Sequence, residues 1–281
     1  MNENLTADER YRRLRACTLY LLDMDGTLYL GDEVFDGAVD FIRTLEATGR
    51  SYIYLTNNSS RAGEDYITRL RRLGFPCERE NVFTSGMATG LWMREHAAGK
   101  PVFVVGTRAF QRELASYGVN LLTASLDDKS LPDRVDTVCV GFDTELVYRD
   151  LQLAVHYLRK GARFIAANPD WVCPMPGGEV LPDCGSICAL LTASTGVKPV
   201  YIGKPDRNMV DLISEERKIP NGKICCVGDR LYTDIAVAQN AGAVSVCVLS
   251  GESDQAMIDA AERKPDYVLR DVKELAGILR P

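Results

Sequence analysis

Ten residues at positions 18 to 27, Thr-Leu-Tyr-Leu-Leu-Asp-Met-Asp-Gly-Thr, constrain the fold of this chain more than any other stretch. Residues 18–22 are β-branched and apolar, which suits one short strand buried on both faces. The run stops abruptly at Asp23, Asp25 and Gly26. Acids two residues apart leave a strand on the same side. Both would point beyond its C-terminal end, which is where open α/β sheets bind ligands. Gly26 permits a tight turn there, and the Thr27 hydroxyl can brace the loop. Paired carboxylates suit a hard cation such as Mg²⁺, and they can divide nucleophile and acid/base roles. The plainer reading is an Asp-Gly turn after a core strand. A turn explains Gly26 but not two acids at a buried strand end.

Composition narrows the classes. With 281 residues, 46% of them hydrophobic and 26% charged, the chain reads as an ordinary soluble globular protein with room for one large domain or two. A net charge of −6 argues against broad binding to nucleic acid or to anionic membranes, which needs a basic surface. An anionic substrate would have to be met locally, by a metal, a lysine or helix N-termini. No apolar stretch is long enough to span a membrane. Residues 1–15 carry acids and four arginines without an apolar run, so they read as a short polar helix or frayed arm and not as a secretory signal. The nine cysteines are odd in number and scattered, with Cys225 and Cys226 adjacent, which suits reduced thiols in a cytoplasmic core. His96 and His156 are the only histidines. Neither a zinc site nor a serine or cysteine nucleophile paired with histidine is expected.

Along the chain, the first 84 residues alternate strand and helix. After the Asp23 loop a helix is expected over 38–47, stopped by Gly49, and a second buried strand over 51–55. That strand ends in Thr56-Asn57-Asn58-Ser59-Ser60, and a helix follows over 61–73. Thr56 and the N–H groups entering that helix could cradle a phosphate. Simple N-capping by Ser59 or Asn58 accounts for the same residues. Residues 85–182 start a fresh α/β pattern, with strands at 102–105, 137–140 and 163–166 and helices at 108–117 and 148–159. This stretch ends in Asn168-Pro169-Asp170 and a turn-rich segment to Gly178. It reads as an inserted domain without an acid/base constellation of its own. The first pattern then resumes over 183–281, with a helix at 186–195 and strands at 200–202, 224–227, 244–249 and 267–269. Lys204 stands where a strand meets a helix start, either as a solvated charge or as a phosphate clamp. Asp229 leaves the 224–227 strand directly and Asp234 follows five residues later; capping explains one of these acids, not both. Neither Gly-x-Gly-x-x-Gly after a strand nor Gly-x₄-Gly-Lys-Ser/Thr occurs.

Taken in order, Asp23-Met-Asp-Gly-Thr27, Thr56-Asn-Asn58, Gly203-Lys204-Pro205 and Gly228-Asp229-Arg-x-x-Thr-Asp234 resemble the four motifs of the haloacid dehalogenase superfamily. The long insert and the Asn168-Pro169-Asp170 phrase are similar to its NagD-like and 4-nitrophenylphosphatase branch. The likeness covers nearly all of the chain beyond the first 15 residues. It implies an α/β fold: a Rossmann-like parallel-sheet core (1–84 and 183–281) with an inserted smaller α/β cap (85–182).

The resemblance further implies Mg²⁺-dependent hydrolysis of small phosphate monoesters, of the nucleotide, sugar phosphate or phosphoglycolate class. Asp23 would be nucleophile and Mg²⁺ ligand. Asp25 would serve as general acid/base and bind Mg²⁺ through its carbonyl, so it must stay protonated near neutrality, well above the unperturbed value of about 3.9. Thr56, Asn57 and Asn58 would bind the phosphoryl group and Lys204 would supply positive charge. Asp229 would complete the Mg²⁺ shell, with Asp234 in support. The cap would exclude water and select the leaving group, with the 168–178 loop carrying specificity. Cys173 stands where some pyridoxal-phosphate-directed relatives carry a histidine, which argues against that substrate. Relatives of this kind often pair through the cap, which implies a homodimer. Two alternatives belong beside hydrolysis: a phosphotransferase or mutase using the same intermediate, and a catalytically silent binding module, which would have lost an acid or the lysine.

Overall fold

The computed structural model of the protein describes residues 7–122 and 131–280. The chain divides into two compact units, one formed by residues 1–55, 67–82 and 205–281, the other by 56–66 and 83–204.

The first unit is built on a six-stranded sheet of β1 (Leu19–Leu22), β4 (Ser51–Thr56), β5 (Val82–Thr84), β13 (Ile224–Gly228), β14 (Val244–Val248) and β15 (Tyr267–Leu269). Its order is β15-β14-β13-β1-β4-β5, and the pairs from β15 to β4 are parallel. All four residues of β1 are buried, as a central strand covered on both faces requires. From β1 the chain runs outward through β4 and β5, then returns to β13 on the opposite side of β1. The strand order therefore reverses between β1 and β13, the place where such sheets bind ligands. Helix α2 (Ala38–Ala47) buries Ala38, Phe41, Ile42 and Leu45, spaced i, i+3, i+4 and i+7. It packs against α11 (Val272–Leu279). The N-terminal segment is helical as α1 (Ala7–Arg15), fixed by buried Leu14 and by the Tyr20 hydroxyl, which donates to the Leu14 carbonyl at 3.0 Å. A small hairpin, β2 (Tyr29–Leu30) with β3 (Glu33–Val34), follows the Asp23 loop. Helices α3 (Gly63–Arg72), α8 (Asn208–Arg217), α9 (Ala236–Ala241) and α10 (Gln255–Ala260) complete the connections.

The second unit carries a five-stranded parallel sheet of β6 (Pro101–Val105), β7 (Asn120–Leu122), β8 (Thr137–Val140), β9 (Arg163–Ala166) and β12 (Val200–Tyr201), in the order β12-β9-β8-β6-β7. Helices α4 (Ser85–His96), α5 (Arg108–Ser116), α6 (Tyr148–Arg159) and α7 (Cys184–Thr195) accompany it, with an antiparallel hairpin of β10 (Val172–Pro174) and β11 (Val180–Pro182). The expected return of the chain at residue 183 comes later. β12 pairs with β9, and α7 buries Ile187, Cys188 and Leu191 in one core with Phe103, Val138 and Phe164, so residues 183–204 stay with the second unit. Residues 56–66 join it too, because buried Ser59 bonds to Phe142 and Asn168 of that unit. Among the described residues no helix is long and apolar enough to cross a membrane.

Candidate active site

The first unit brings three acids together at the switch point of its sheet. Asp23 follows β1, whose ladder it extends by donating its N–H to the Val227 carbonyl at 2.9 Å. Asp229 follows β13, the neighbouring strand. Asp23, Asp229 and Asp234 each offer a carboxylate oxygen within 4.8 Å of the others. Asp229 and Asp234 are buried and Asp23 is half-buried, so the cluster opens at Asp23. Thr27 Oγ1 lies 3.4 Å from an oxygen of Asp23 and 3.4 Å from one of Asp229, bridging the two strand ends.

Backbone geometry makes this convergence possible. Gly26 has φ of 88°, and its N–H donates to the Tyr29 carbonyl at 2.8 Å, closing the Asp25 loop. A Cβ at Gly26 would strike the Asp229 carboxylate, and one at Gly228 would strike Asp234. Residues Leu231–Ile235 form one π-helical turn after Asp229, a feature often found at functional sites. That turn carries Asp234 back until its Oδ2 accepts the Arg230 N–H at 3.1 Å. Asp234 is thus one of the three clustered acids, whereas the Asp25 side chain is not.

A loop that no sequence motif marked completes the cluster. Glu252 donates its N–H to Asp229 Oδ2 at 2.7 Å, and the Ser250 hydroxyl donates to the Gly26 carbonyl at 2.9 Å. Glu252 also pairs with Arg230 at 3.0 Å. The only signal in the sequence was Ser250-Gly251 just after a buried strand, which reads equally well as a turn.

Burial, and then the negative charge of Asp234, push the Asp229 carboxyl up to about 6, against the opposing pull of the Glu252 N–H and Arg230. Three oxygen-only donors at this spacing, with one acid held above its ordinary range by burial and then by a like charge, fit a hard divalent cation such as Mg²⁺.

The second unit holds the other residues singled out from the sequence. Thr56 Oγ1 accepts the Asn58 N–H at 3.1 Å, and Asn58 Oδ1 accepts the Ser60 N–H at 3.0 Å, so the 56–60 loop is a pair of nested polar turns. Helix α3 begins only at Gly63, and Ser59 is not its cap. The Ser59 hydroxyl instead accepts the Phe142 N–H at 2.8 Å and donates to Asn168 Oδ1 at 3.1 Å. Lys204 is 2% exposed, which removes the reading of it as a solvated surface charge. The Asn57 side chain is committed within the protein: Nδ2 donates to Asp170 Oδ2 at 2.8 Å and to the Lys204 carbonyl at 2.9 Å, while Oδ1 accepts the Lys204 N–H at 2.8 Å. The Asn57 side chain is therefore spent on Asp170 and the Lys204 backbone. Cys173 Sγ lies 3.9 Å from Asn58 Nδ2. The Asn168-Pro169-Asp170 phrase was visible in the sequence, but its partner Asn57 lies 113 residues from Asp170 and left no local signal.

A haloacid dehalogenase-like hydrolase family model matches residues 20–120, and a HAD-hydrolase-like model matches 201–275. An acid sugar phosphatase of Staphylococcus haemolyticus is 32% identical over 253 residues, covering 90% of this chain and 93% of that protein. The crystal structure of a 4-nitrophenylphosphatase from Thermotoga maritima superposes with a TM-score of 0.87 at 39% identity, covering 95% of this chain and 99% of the other. A glycerol phosphate phosphatase of Mycobacterium tuberculosis, solved in complex with magnesium, has a TM-score of 0.83 at 32% identity, covering 93% of this chain and 77% of the other.

Proposed function

The chain belongs to the haloacid dehalogenase-like hydrolase family, and we propose that within it the protein is a Mg²⁺-dependent phosphatase of small sugar- or polyol-phosphate monoesters. The observation that carries this reading is the meeting of Asp23, Asp229 and Asp234 within 4.8 Å, with Asp23 the member that remains half-exposed. The substrate class is supported by relatives that are named for acid sugar phosphatase and glycerol phosphate phosphatase activity.

In this reading an Asp23 carboxylate oxygen attacks phosphorus, the ester P–O bond breaks, and Asp25 gives its proton to the leaving oxygen. Asp25, now anionic, takes a proton from water as that water attacks the aspartyl-phosphate. The Asp23–phosphorus bond then breaks, orthophosphate leaves, and both acids return to their starting states. The Thr56 hydroxyl and the backbone N–H of Asn57 hold phosphoryl oxygens, the Asn58 N–H braces Thr56 Oγ1, and the Lys204 ammonium offsets the phosphoryl charge. Mg²⁺ would be held by Asp23, Asp229 and the Asp25 carbonyl with Asp234 beside them, and would supply the charge neutralisation that lets a carboxylate approach a phosphate dianion. Gly26, Thr27 and the 250–252 loop keep the two strand-end acids in register. Within the second unit, residues 85–182 are read as a cap that selects the leaving group. Pairing of two copies through that unit is part of the reading, supported by exposed Val147, Tyr148 and Leu190. The odd number and scattered placement of the nine cysteines support a cytoplasmic setting.

The test is phosphate release from a panel of monoesters with Mg²⁺ or EDTA, for wild type and Asp23→Asn. Release that needs Mg²⁺ and disappears in Asp23→Asn is expected, with sugar and polyol phosphates ranking first. Full release by Asp23→Asn would remove the aspartyl-phosphate mechanism.

A further inference from the structure

Asp183, Asn168, Asp170 and Asn57, all buried in the second unit, form a hydrogen-bonded line that ends at the backbone of Lys204, with Ser59 branching from Asn168. Asp170 Oδ2 accepts from Asn57 Nδ2 and from Asn168 Nδ2, both at 2.8 Å. Asn168 Nδ2 gives its other hydrogen to Asp183 Oδ1 at 3.0 Å, and Asn168 Oδ1 accepts from Ser59. Asn57 then grips Lys204 at both its N–H and its carbonyl. Exposure is 0% at Asn168, 3% at Asp170, 7% at Asn57 and 2% at Lys204. The far end of the line is rigid: Asp183 caps α7, and the Asp170 carbonyl accepts the Gly185 N–H at 2.8 Å.

The direction of these bonds matters. A side-chain amide can sit either way round, but a carboxylate can only accept. With Asp170 on one side, Asn57 must turn its NH₂ toward Asp170 and the Lys204 carbonyl, and its oxygen toward the Lys204 N–H. The reversed amide would set oxygen against the carboxylate and the carbonyl, and NH₂ against the N–H. Gly203 tightens the fit, since a Cβ there would lie 2.5 Å from the Ala167 carbonyl oxygen and 2.7 Å from Asn57 Oδ1.

We propose that Asp170 is a positioning residue for the phosphatase reaction: by fixing the sense of the Asn57 amide it holds the residue-204 backbone, and so the Lys204 ammonium, where the phosphoryl group is bound. This rests on the reading of Lys204 as a phosphoryl clamp. It gives Asn168-Pro169-Asp170 a role in catalysis without contact to substrate, and it makes Asn57 the link.

A double-mutant cycle between Asp170 and Lys204 tests it, with kcat and KM measured on the preferred monoester and native folding checked by near-UV circular dichroism. Lys204→Ala and Asp170→Ala are each expected to lower kcat/KM by about 10- to 100-fold. In the Lys204→Ala background, Asp170→Ala should cost no more than about a further twofold, because nothing remains for it to position. Asp170→Asn keeps an acceptor oxygen and should recover most of the activity; if Asp170→Ala does not fold, the same cycle run with Asp170→Asn must show its smaller loss vanishing without Lys204. Losses that multiply in the double variant would overturn the proposal, as would an Asp170→Ala enzyme with unchanged kcat/KM. Full activity in Lys204→Ala would instead overturn the clamp reading on which the proposal stands.

Discussion

The backbone of Gly251 lies so close to the Asp229 carboxylate that no Cβ could be accommodated, and the next residue, Glu252, donates its N–H to the same carboxylate at 2.7 Å. A loop from a third strand end thus decides where an acid from β13 can sit. Gly251→Ala should push Asp229 off its position and weaken Mg²⁺ affinity by about 10- to 100-fold, the size seen when groups that orient metal ligands are changed. Isothermal titration with Mg²⁺ would measure this. Unchanged affinity would mean that the loop is only a neighbour of Asp229.

Asp229 also predicts how the metal-free protein responds to pH. Its folded value of about 6 lies above the ordinary 3.8 of an unfolded chain, so the native state holds that proton more tightly. The associated stability is fully present below about pH 3.8 and is lost as pH rises through about 6. The separation is worth about 3 kcal/mol at most. Urea denaturation of EDTA-treated protein should show this fall, and Asp229→Asn, which cannot titrate there, should show a shallower one. Equal slopes would remove Asp229 as the cause. Mg²⁺ added above pH 6 should restore stability, because the cation binds the folded acids and not the unfolded chain.

Ser59 offers a test confined to the second unit. Its hydroxyl serves the Phe142 N–H and the Asn168 side chain at once, both out of contact with water. Ser59→Ala leaves those two groups unpaired and should destabilise the protein by about 1–3 kcal/mol, read from the shift in denaturation midpoint. A cost of only a few tenths would mean that the two groups find other partners once the hydroxyl is gone.

Thiol chemistry should be strongly selective. Of the nine cysteines, none of them in a disulfide, eight are buried and Cys173 alone is partly exposed. A disulfide reagent should modify about one thiol rapidly in the native protein and the rest only on unfolding. The fast phase should vanish in Cys173→Ser. If substrates pass the β10–β11 hairpin, a bound monoester should slow it.

The residues that announce this site in the sequence are those whose chemistry is local. β1 is apolar because a central strand is covered on both faces, and the acids stand out because such a strand end has no packing use for them. α2 spans 38–47 as its apolar spacing and Gly49 require. Asp23, Asp229 and Lys204 sit at or just beyond strand ends, so a short window identifies each of them.

What the sequence by itself determined was therefore the alternation of strand and helix, the presence of an insert, and the acids and lysine at the strand ends. The tertiary structure alone decided which of them meet. It bent a π-helical turn so that Asp234 joined Asp23 and Asp229, and it placed Gly251 and Glu252 against an acid more than 20 residues earlier in the chain. It tied the Asn57 side chain to the Lys204 backbone, and it kept 183–204 in the second sheet by pairing β12 with β9. The reason is physical. Propensity and periodicity act over a turn or a strand, whereas a buried amide or carboxylate must find a partner wherever the fold brings one.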